Sequence, residues 1–144
     1  MKNYVFAVVG ALGNVGTDLR KILETSDLPI KELVLIDVSQ NAGKKARWRD
    51  EDFTVVESKP GSFSGVDIAI MSAGTEASLE LSPEAVTRGC IVIDNSIAFR
   101  MAPEHPLVIP EVDTDQLVNN QGIVANPNCS TIQMLVAIKP ILNK

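Results

Sequence analysis

Histidine is nearly missing from this chain: there is one, His105, in 144 residues. A histidine-rich zinc centre therefore has a single imidazole to draw on, and no metal site is expected. Cysteine occurs twice, at 90 and 129. Two thiols do not make the disulfide framework of a small secreted domain, and they read as free. Apolar runs such as "VLI" and "IAIM" are far too short to span a bilayer, so no membrane partner is expected. Basic residues are not in excess. Thirteen Lys and Arg stand against 18 Asp and Glu, a net charge of −5, which argues against a nucleic-acid binder working through a broad basic face. The opening "MKNYVFAVVG" places a lysine before apolar residues, but the run is short and ends in a glycine-rich turn. It lacks a small-residue cleavage pattern and reads as a first strand rather than a signal peptide. No internal repeat or low-complexity linker appears. What remains is an ordinary globular composition, 45% hydrophobic and 22% charged, long enough for one cored domain. A cytoplasmic location is expected.

Strand-like and helix-like stretches alternate. "YVFAVV" at 4–9 is β-branched and aromatic and ends at Gly10. Residues 14–25 carry Val15, Leu19, Ile22 and Leu23 at helical spacing. "ELVLID" at 32–37 predicts a second strand, 39–52 a polar loop or irregular crossover, and "FTVVE" at 53–57 a third strand. A fourth is expected at 66–73, a helix at 76–88 with Pro83 as a local complication, and a fifth strand at 90–95 after a helix-ending Gly89. Residues 96–121, with Pro103, Pro106 and Pro110, are less regular. A strand at 122–126 and a helix at 130–144 close the chain. This alternation, with almost continuously apolar strands, predicts an α/β fold of the Rossmann type: a doubly wound, mostly parallel sheet with helices on both faces.

"GALGNVG" sets glycines at 10, 13 and 16, directly after a strand and at the mouth of a helix. Gly10 permits the tight turn, Gly13 lets backbone approach a pyrophosphate, and Gly16 allows close helix–sheet packing. The helix N-terminus adds unpaired N–H groups and the positive end of its dipole. Asp37 closes the second strand 21 residues past Gly16, where an acid takes the ribose hydroxyls of NAD and repels the extra phosphate of NADP. Lys44, Lys45 and Arg47, slightly further on, are the opposing possibility: they welcome that phosphate, or they form a solvated face.

Cys129 lies in "NPNCSTIQ", where a strand gives way to a helix. A thiol near its ordinary pKa is only about three per cent thiolate at neutral pH, and a helix N-terminus favours the anion. Asn128, Ser130 and Thr131 are small and polar, keeping the sulfur approachable, and their backbone N–H groups are suited to an oxyanion. Cys90 opens an apolar strand and reads as a small buried hydrophobe. A reactive thiol beside a dinucleotide site points to aldehyde oxidation or its reverse. Sulfur adds to the carbonyl, hydride leaves to nicotinamide, and an acceptor such as phosphate captures the thioester.

Four colinear blocks, "GALGNVG", "SAGTEAS", "DNSIAFRM…PLVIPEVD" and "NPNCSTIQMLVAIKP", resemble the N-terminal part of aspartate-semialdehyde dehydrogenases. The resemblance implies reversible, NADPH-linked reduction of aspartyl phosphate to aspartate semialdehyde, on the route to lysine, threonine, methionine and diaminopimelate. It makes Cys129 the acyl-forming nucleophile and gives Asn128 and Arg100 contacts with substrate or phosphate. Gly10, Leu12, Gly13, Asn14, Val15 and Gly16 become the cofactor loop, with Asp37, Gln40 and Asn41 at the ribose edge. Ser72, Ala73 and Gly74 become a loop lining the cofactor.

Two positions depart from the family pattern. Leu12 stands where a threonine is usual, and Gln40 replaces the arginine expected to hold the 2′-phosphate. With Asp37 alongside, the expectation is a weakened preference for NADP and room for NAD. The resemblance covers less than half of a family member. Residues 1–144 are therefore expected to be an N-terminal dinucleotide-binding domain ending in the start of the cysteine helix. The C-terminal substrate and dimerisation domain, with the catalytic histidine, is expected to be absent, and the chain alone to be inactive. His105 does not match that histidine. The full-length protein is expected to be a homodimer or homotetramer. N-acetylglutamyl-phosphate reductase is a rival, disfavoured by "NCST". A short-chain reductase needs a Tyr-x-x-x-Lys pair, and the only tyrosine is Tyr4. A non-catalytic NAD(P)-binding module is the rival from outside enzymes.

Overall fold

A computed structural model of the protein describes residues 3–142, apart from the side chain of Leu142. In chain order the elements are β1 (Tyr4–Val9), α1 (Asn14–Thr25), β2 (Ile30–Asp37), β3 (Lys45–Trp48), β4 (Glu51–Thr54), β5 (Val56–Glu57), β6 (Ile68–Met71), α2 (Thr75–Thr87), β7 (Ile91–Asp94), α3 (Pro110–Asp113), β8 (Ile123–Ala125) and α4 (Cys129–Leu142). Short 3-10 turns follow β2 at Ser39–Asn41 and α3 at Thr114–Asn119.

Six strands pair in the order β5-β2-β1-β6-β7-β8, every pair parallel. Counting only these six, the order is 3-2-1-4-5-6, the doubly wound arrangement whose direction reverses between β1 and β6. Alternate residues of the central strands serve two separate cores. Phe6 and Val8 pack with Leu23, Leu33, Leu35 and Ile70 under α1, whereas Ala7 and Val9 pack with Ala69, Met71, Leu81, Ala85 and Val92 under α2. Each fully buried valine or leucine stabilises the fold by about 1.5–3 kcal/mol. The strands are apolar at successive positions because both faces are covered at the centre of the sheet.

Coverage is uneven further out. The face that carries α1 is open over β7 and β8. Ile91 and Ile93 are 44% and 36% exposed there, and together with Val108, Pro110, Leu117 and Val124 they border an apolar groove. Helix α4 also leaves Met134, Val136, Ile138 and Ile141 exposed. Along the chain's flank, β8 is partly covered by a parallel bridge from Leu107 to Ala125, and at the far edge β5 is two residues long.

Several expected boundaries move. The second strand begins at Ile30, and the fourth occupies only Ile68–Met71. The helix after it runs Thr75–Thr87 and the fifth strand Ile91–Asp94. The expected polar loop at 39–52 is instead half of an antiparallel hairpin, β3 against β4, with Ala46 opposite Phe53 and Trp48 opposite Glu51. Its two turn residues, Arg49 and Asp50, both have positive φ, 47° and 62°, the conformation of a primed hairpin turn. Trp48 is buried edge-on to Phe53, with the Arg49 guanidinium 4.3 Å over its ring. "FTVVE" is therefore not one strand. Phe53 and Thr54 finish the hairpin, Val55 is buried between, and Val56–Glu57 joins the main sheet. The irregular stretch at 96–121 contains α3 and a 3-10 turn, and the last helix begins at Cys129, one residue earlier than expected. Its expected end at 143–144 lies outside the described residues. Ile22 is 62% exposed rather than core.

The tightest point is where β1, β6 and α1 meet. Gly10 has φ +82°, and a Cβ there would lie 2.5 Å from the Ser72 carbonyl oxygen. A Cβ on Gly16 would lie 2.1 Å from the Gly10 carbonyl oxygen and 2.9 Å from Ala11 Cα. Only backbone can be displaced to relieve either clash. Gly16→Ala should accordingly lower unfolding stability by about 2–3 kcal/mol, measured by urea denaturation. A loss indistinguishable from zero would refute this close packing.

Candidate functional site

In an open parallel sheet the carboxyl ends of the strands gather the loops, and the crevice forms where strand order reverses. A cleft of about 520 Å³ lies there. Its walls come from four connections: Val15 and Leu19 of α1, Ser72 and Gly74 after β6, Asn95, Ser96 and Arg100 after β7, and Asn126 to Cys129 with Ile132 after β8. Candidate residues scattered over more than a hundred positions of sequence thus share one cavity. Cys129, Asn128, Arg100, Ser72, Gly74 and Val15 line it directly.

The glycine loop fits a pyrophosphate. Gly13 precedes α1 as its N-cap, extended at φ −67° and ψ 169°, with no side chain closing the helix end. The first amides of α1, those of Asn14, Val15 and Gly16, have no carbonyl a turn below them to bond, which leaves donors and a positive dipole end for an anion. Gly13 and Asn14 are exposed and Ala73 half-buried, whereas Leu12 packs partly into the core under α1.

Asp37 sits beside this loop and is 6% exposed. Its Oδ2 accepts the Leu12 N–H at 2.7 Å, and its Oδ1 accepts the Val38 N–H and the Asn41 side-chain amide, each at 2.8 Å. Burial, the largest single influence, disfavours the charged carboxylate. The three hydrogen bonds and the Lys44 charge together outweigh it and hold the pKa below the ordinary 3.8. Asp37 therefore ties the end of β2 to the phosphate loop. Asn41 continues the chain by accepting the Lys44 ammonium at 2.5 Å, and Gln40 is exposed beside it.

Across the cleft, α4 begins at Cys129, whose thiol is exposed. Asn128 caps the helix: its Oδ1 accepts the Ser130 N–H at 3.0 Å and lies 3.9 Å from Cys129 Sγ, and its carbonyl accepts the Ile132 N–H at 3.0 Å. Asn128 thus fixes the first turn of the helix that carries the sulfur. Cys90, by contrast, is 2% exposed, and burial first of all, with the Asp67 charge, raises its pKa to about 11.

Arg100 is held rigidly. Its Nε donates to the Asn126 carbonyl at 3.0 Å and its Nη2 to the Asn95 carbonyl at 2.9 Å. Both carbonyls belong to the cleft wall, so the guanidinium plane is set before any ligand arrives, and Nη1 has no hydrogen-bond partner among the described residues. Asn95 and Asn126 are joined side chain to side chain, Nδ2 of 126 donating to Oδ1 of 95 at 2.6 Å. Beneath them Asp94 is fully buried. It accepts from Ser78 Oγ at 2.6 Å and Ser96 Oγ at 2.7 Å, which locks the β7 turn to α2.

Asp94, Asn95, Ser96 and Asn126 were not singled out from the sequence. The clue was the polar "DNS" ending an apolar strand, matched by the asparagine ending "GIVAN" on the neighbouring strand. His105 packs edge-on to Phe99, ring centroids 5.1 Å apart, and does not line the cleft. Among the described residues no cluster of His, Cys, Asp or Glu is placed to hold a metal ion, and no helix is long and apolar enough to cross a membrane.

A switch-point crevice with an uncapped helix below a glycine turn defines a dinucleotide-binding domain of the dehydrogenase kind. Residues 5–120 match the family described as semialdehyde dehydrogenase, NAD binding domain, and the chain belongs to that family. The aspartate-semialdehyde dehydrogenase of Bacillus subtilis (strain 168) is 50% identical over 135 residues, 94% of this chain and 39% of the relative. That of Aquifex aeolicus (strain VF5) is 46% identical, over 98% of this chain and 42% of the relative. The crystal structure of aspartate semialdehyde dehydrogenase II from Vibrio cholerae, complexed with ASA, superposes with a TM-score of 0.94 at 40% identity, over 99% of this chain and 47% of that one. The chain thus spans less than half the length of these proteins.

Two outcomes follow from this geometry. Near neutral pH one thiol per native chain, Cys129, should react with iodoacetamide, and Cys90 only after denaturation; peptide mass mapping reads this directly, and equal labelling would contradict it. Asp37, with its folded pKa depressed, contributes stability that is fully present above the unfolded value of 3.8 and is lost as pH falls through the lower folded one. Asp37→Asn should therefore flatten the acid limb of stability below about pH 4 in urea melts across pH. An unchanged acid limb would show that the clamp is not ionised.

Proposed function

We propose that this chain is the nucleotide-binding and nucleophile-bearing part of an NAD(P)-dependent aspartate-semialdehyde dehydrogenase in amino-acid biosynthesis. The observation that carries it is the meeting of an exposed Cys129, at the start of α4, with the uncapped helix α1 and the rigid Arg100 in one cleft. In the oxidative direction the Cys129 thiolate adds to the aldehyde carbon of aspartate semialdehyde. The Gly10–Gly16 loop and the first amides of α1 would hold a nicotinamide dinucleotide, which would supply the acceptor for the hydride leaving that carbon. The thioester left on Cys129 is then attacked by inorganic phosphate, releasing aspartyl phosphate and the thiolate. Amides at the start of α4 stabilise the oxyanion of the addition step. Arg100, whose Nη1 has no partner among the described residues, holds the phosphate or the substrate carboxylate, and Asn128 keeps the sulfur at the helix end.

A base is needed to take the thiol proton, and among the described residues no histidine faces this cleft. In this reading the 144-residue chain alone has negligible turnover. The exposed apolar residues of α4 and the groove beside β8 are where the reading places the substrate domain and the subunit contacts of a homodimer or homotetramer. A cytoplasmic location goes with it. Joined to the C-terminal remainder of the Bacillus subtilis relative, the chain should give NAD(P)-linked oxidation of aspartate semialdehyde that requires phosphate, followed by absorbance of the reduced cofactor. Cys129→Ser should lower that rate by about 10³-fold or more. A folded chimera that binds dinucleotide yet shows no phosphate-dependent rate would defeat the assignment.

A further inference from the structure

We propose that Asp37 makes this chain select NAD over NADP, presenting a carboxylate to the adenosine ribose and repelling a 2′-phosphate. The proposal rests on the dinucleotide-binding reading above and specifies which dinucleotide that site takes.

Three observations support it. The first is position. Asp37 ends β2, the strand next to β1, and its Oδ2 is bonded to the Leu12 N–H inside the glycine loop at 2.7 Å. The carboxylate is therefore keyed to the peptide that precedes the pyrophosphate cradle, one sugar away from the phosphates. A second lone pair on Oδ2 remains available to a ribose hydroxyl.

The second is how firmly the charge is held. Oδ1 is occupied from below by the Val38 N–H and the Asn41 amide, so the group cannot swing away from an incoming ligand. At 6% exposure it is poorly screened by water, and a phosphate dianion placed against it would meet like-charge repulsion at reduced dielectric.

The third is the disposition of the nearby cations. Arg20 spends its guanidinium on the Ala11 carbonyl at 3.2 Å, the Arg47 carbonyl at 3.0 Å and Thr17 Oγ1 at 3.3 Å. Arg47 is paired with Asp50 at 3.1 Å. Lys44 is bonded to Asn41 at 2.5 Å and already faces Asp37 as its counter-charge. Gln40, exposed in the 3-10 turn after β2, is neutral. Of these guanidinium groups Arg20 is bonded through all three nitrogens, while Lys45 and Arg47 are exposed on β3 and neither is fixed against Asp37 or Gln40 by a hydrogen bond.

Calorimetric titration of the chain with NAD+ and with NADP+ at low ionic strength tests this. NAD+ should bind at least about tenfold more tightly, and added salt should narrow the gap. Asp37→Asn keeps an oxygen for the Leu12 amide while removing the charge, and should shrink the preference mainly by strengthening NADP+ binding. Gln40→Arg, at an exposed turn residue, should raise NADP+ affinity by more than it changes NAD+ affinity and so shrink the preference. Equal affinities in the unmodified chain, or an NADP+ preference, would overturn the proposal. Failure to bind either dinucleotide would remove the nucleotide-binding reading itself, and the proposal with it.

Discussion

The arrangement depends on one constraint: three pieces of backbone meet where there is no room for a side chain. The Gly10 turn lies against the carbonyl of Ser72, and Gly16 of α1 lies against the carbonyl of Gly10. This packs α1 directly onto β1 beside the junction with β6, the one place where the sheet reverses its winding. Because the helix start is that close, its free amides open into the crevice rather than over the flank of the domain. The same contact carries Val15 and Leu19 to the cleft wall, opposite the helix that bears Cys129.

The opposite wall is built by a different device. No pair of glycines holds β7 and β8 in register at their ends; polar side chains do. Asp94, buried and satisfied by two serine hydroxyls, anchors a turn from which Asn95 reaches Asn126 and both residues offer carbonyls to Arg100. A buried polar network is costly to leave half-made and stiff once complete. It orients Arg100 through carbonyls, with no carboxylate partner among the described residues to compete with an anionic ligand for it. One side of the crevice is thus fixed by close packing and the other by hydrogen bonds. Both hold their geometry before anything binds.

Much of this was legible in the sequence because the signals were local. The run "YVFAVV" followed by "GALGNVG" specifies strand, turn and helix within a few residues, and β1 and α1 fall where the pattern puts them. Cys90 and Cys129 were separable by their neighbours alone. The β3–β4 hairpin was not legible. Arg49 and Asp50 are unusual at two positive-φ positions, and the inward alternation of Ala46 and Trp48 was masked by three basic residues in a row of four. The β7–β8 network was missed for another reason. Its members lie 16 and 31 residues apart in sequence, and no period links them until the strands are paired. Asp37 lies between these cases: its position was readable, but its engagement with Leu12 and Asn41 was not, since that depends on where the loop comes to rest.

The two outer strands of the sheet have a consequence of their own. An exposed strand edge is a template for another chain, yet β5 offers only two residues and β8 three, the latter already bridged by Leu107. Backbone pairing at either rim has too little length to propagate. Side chains on the bare faces of Ile91, Ile93 and α4 offer more surface for docking than either rim of the main sheet does. The domain is thereby open to specific assembly and poorly suited to seeding the ribbon-like stacking of amyloid.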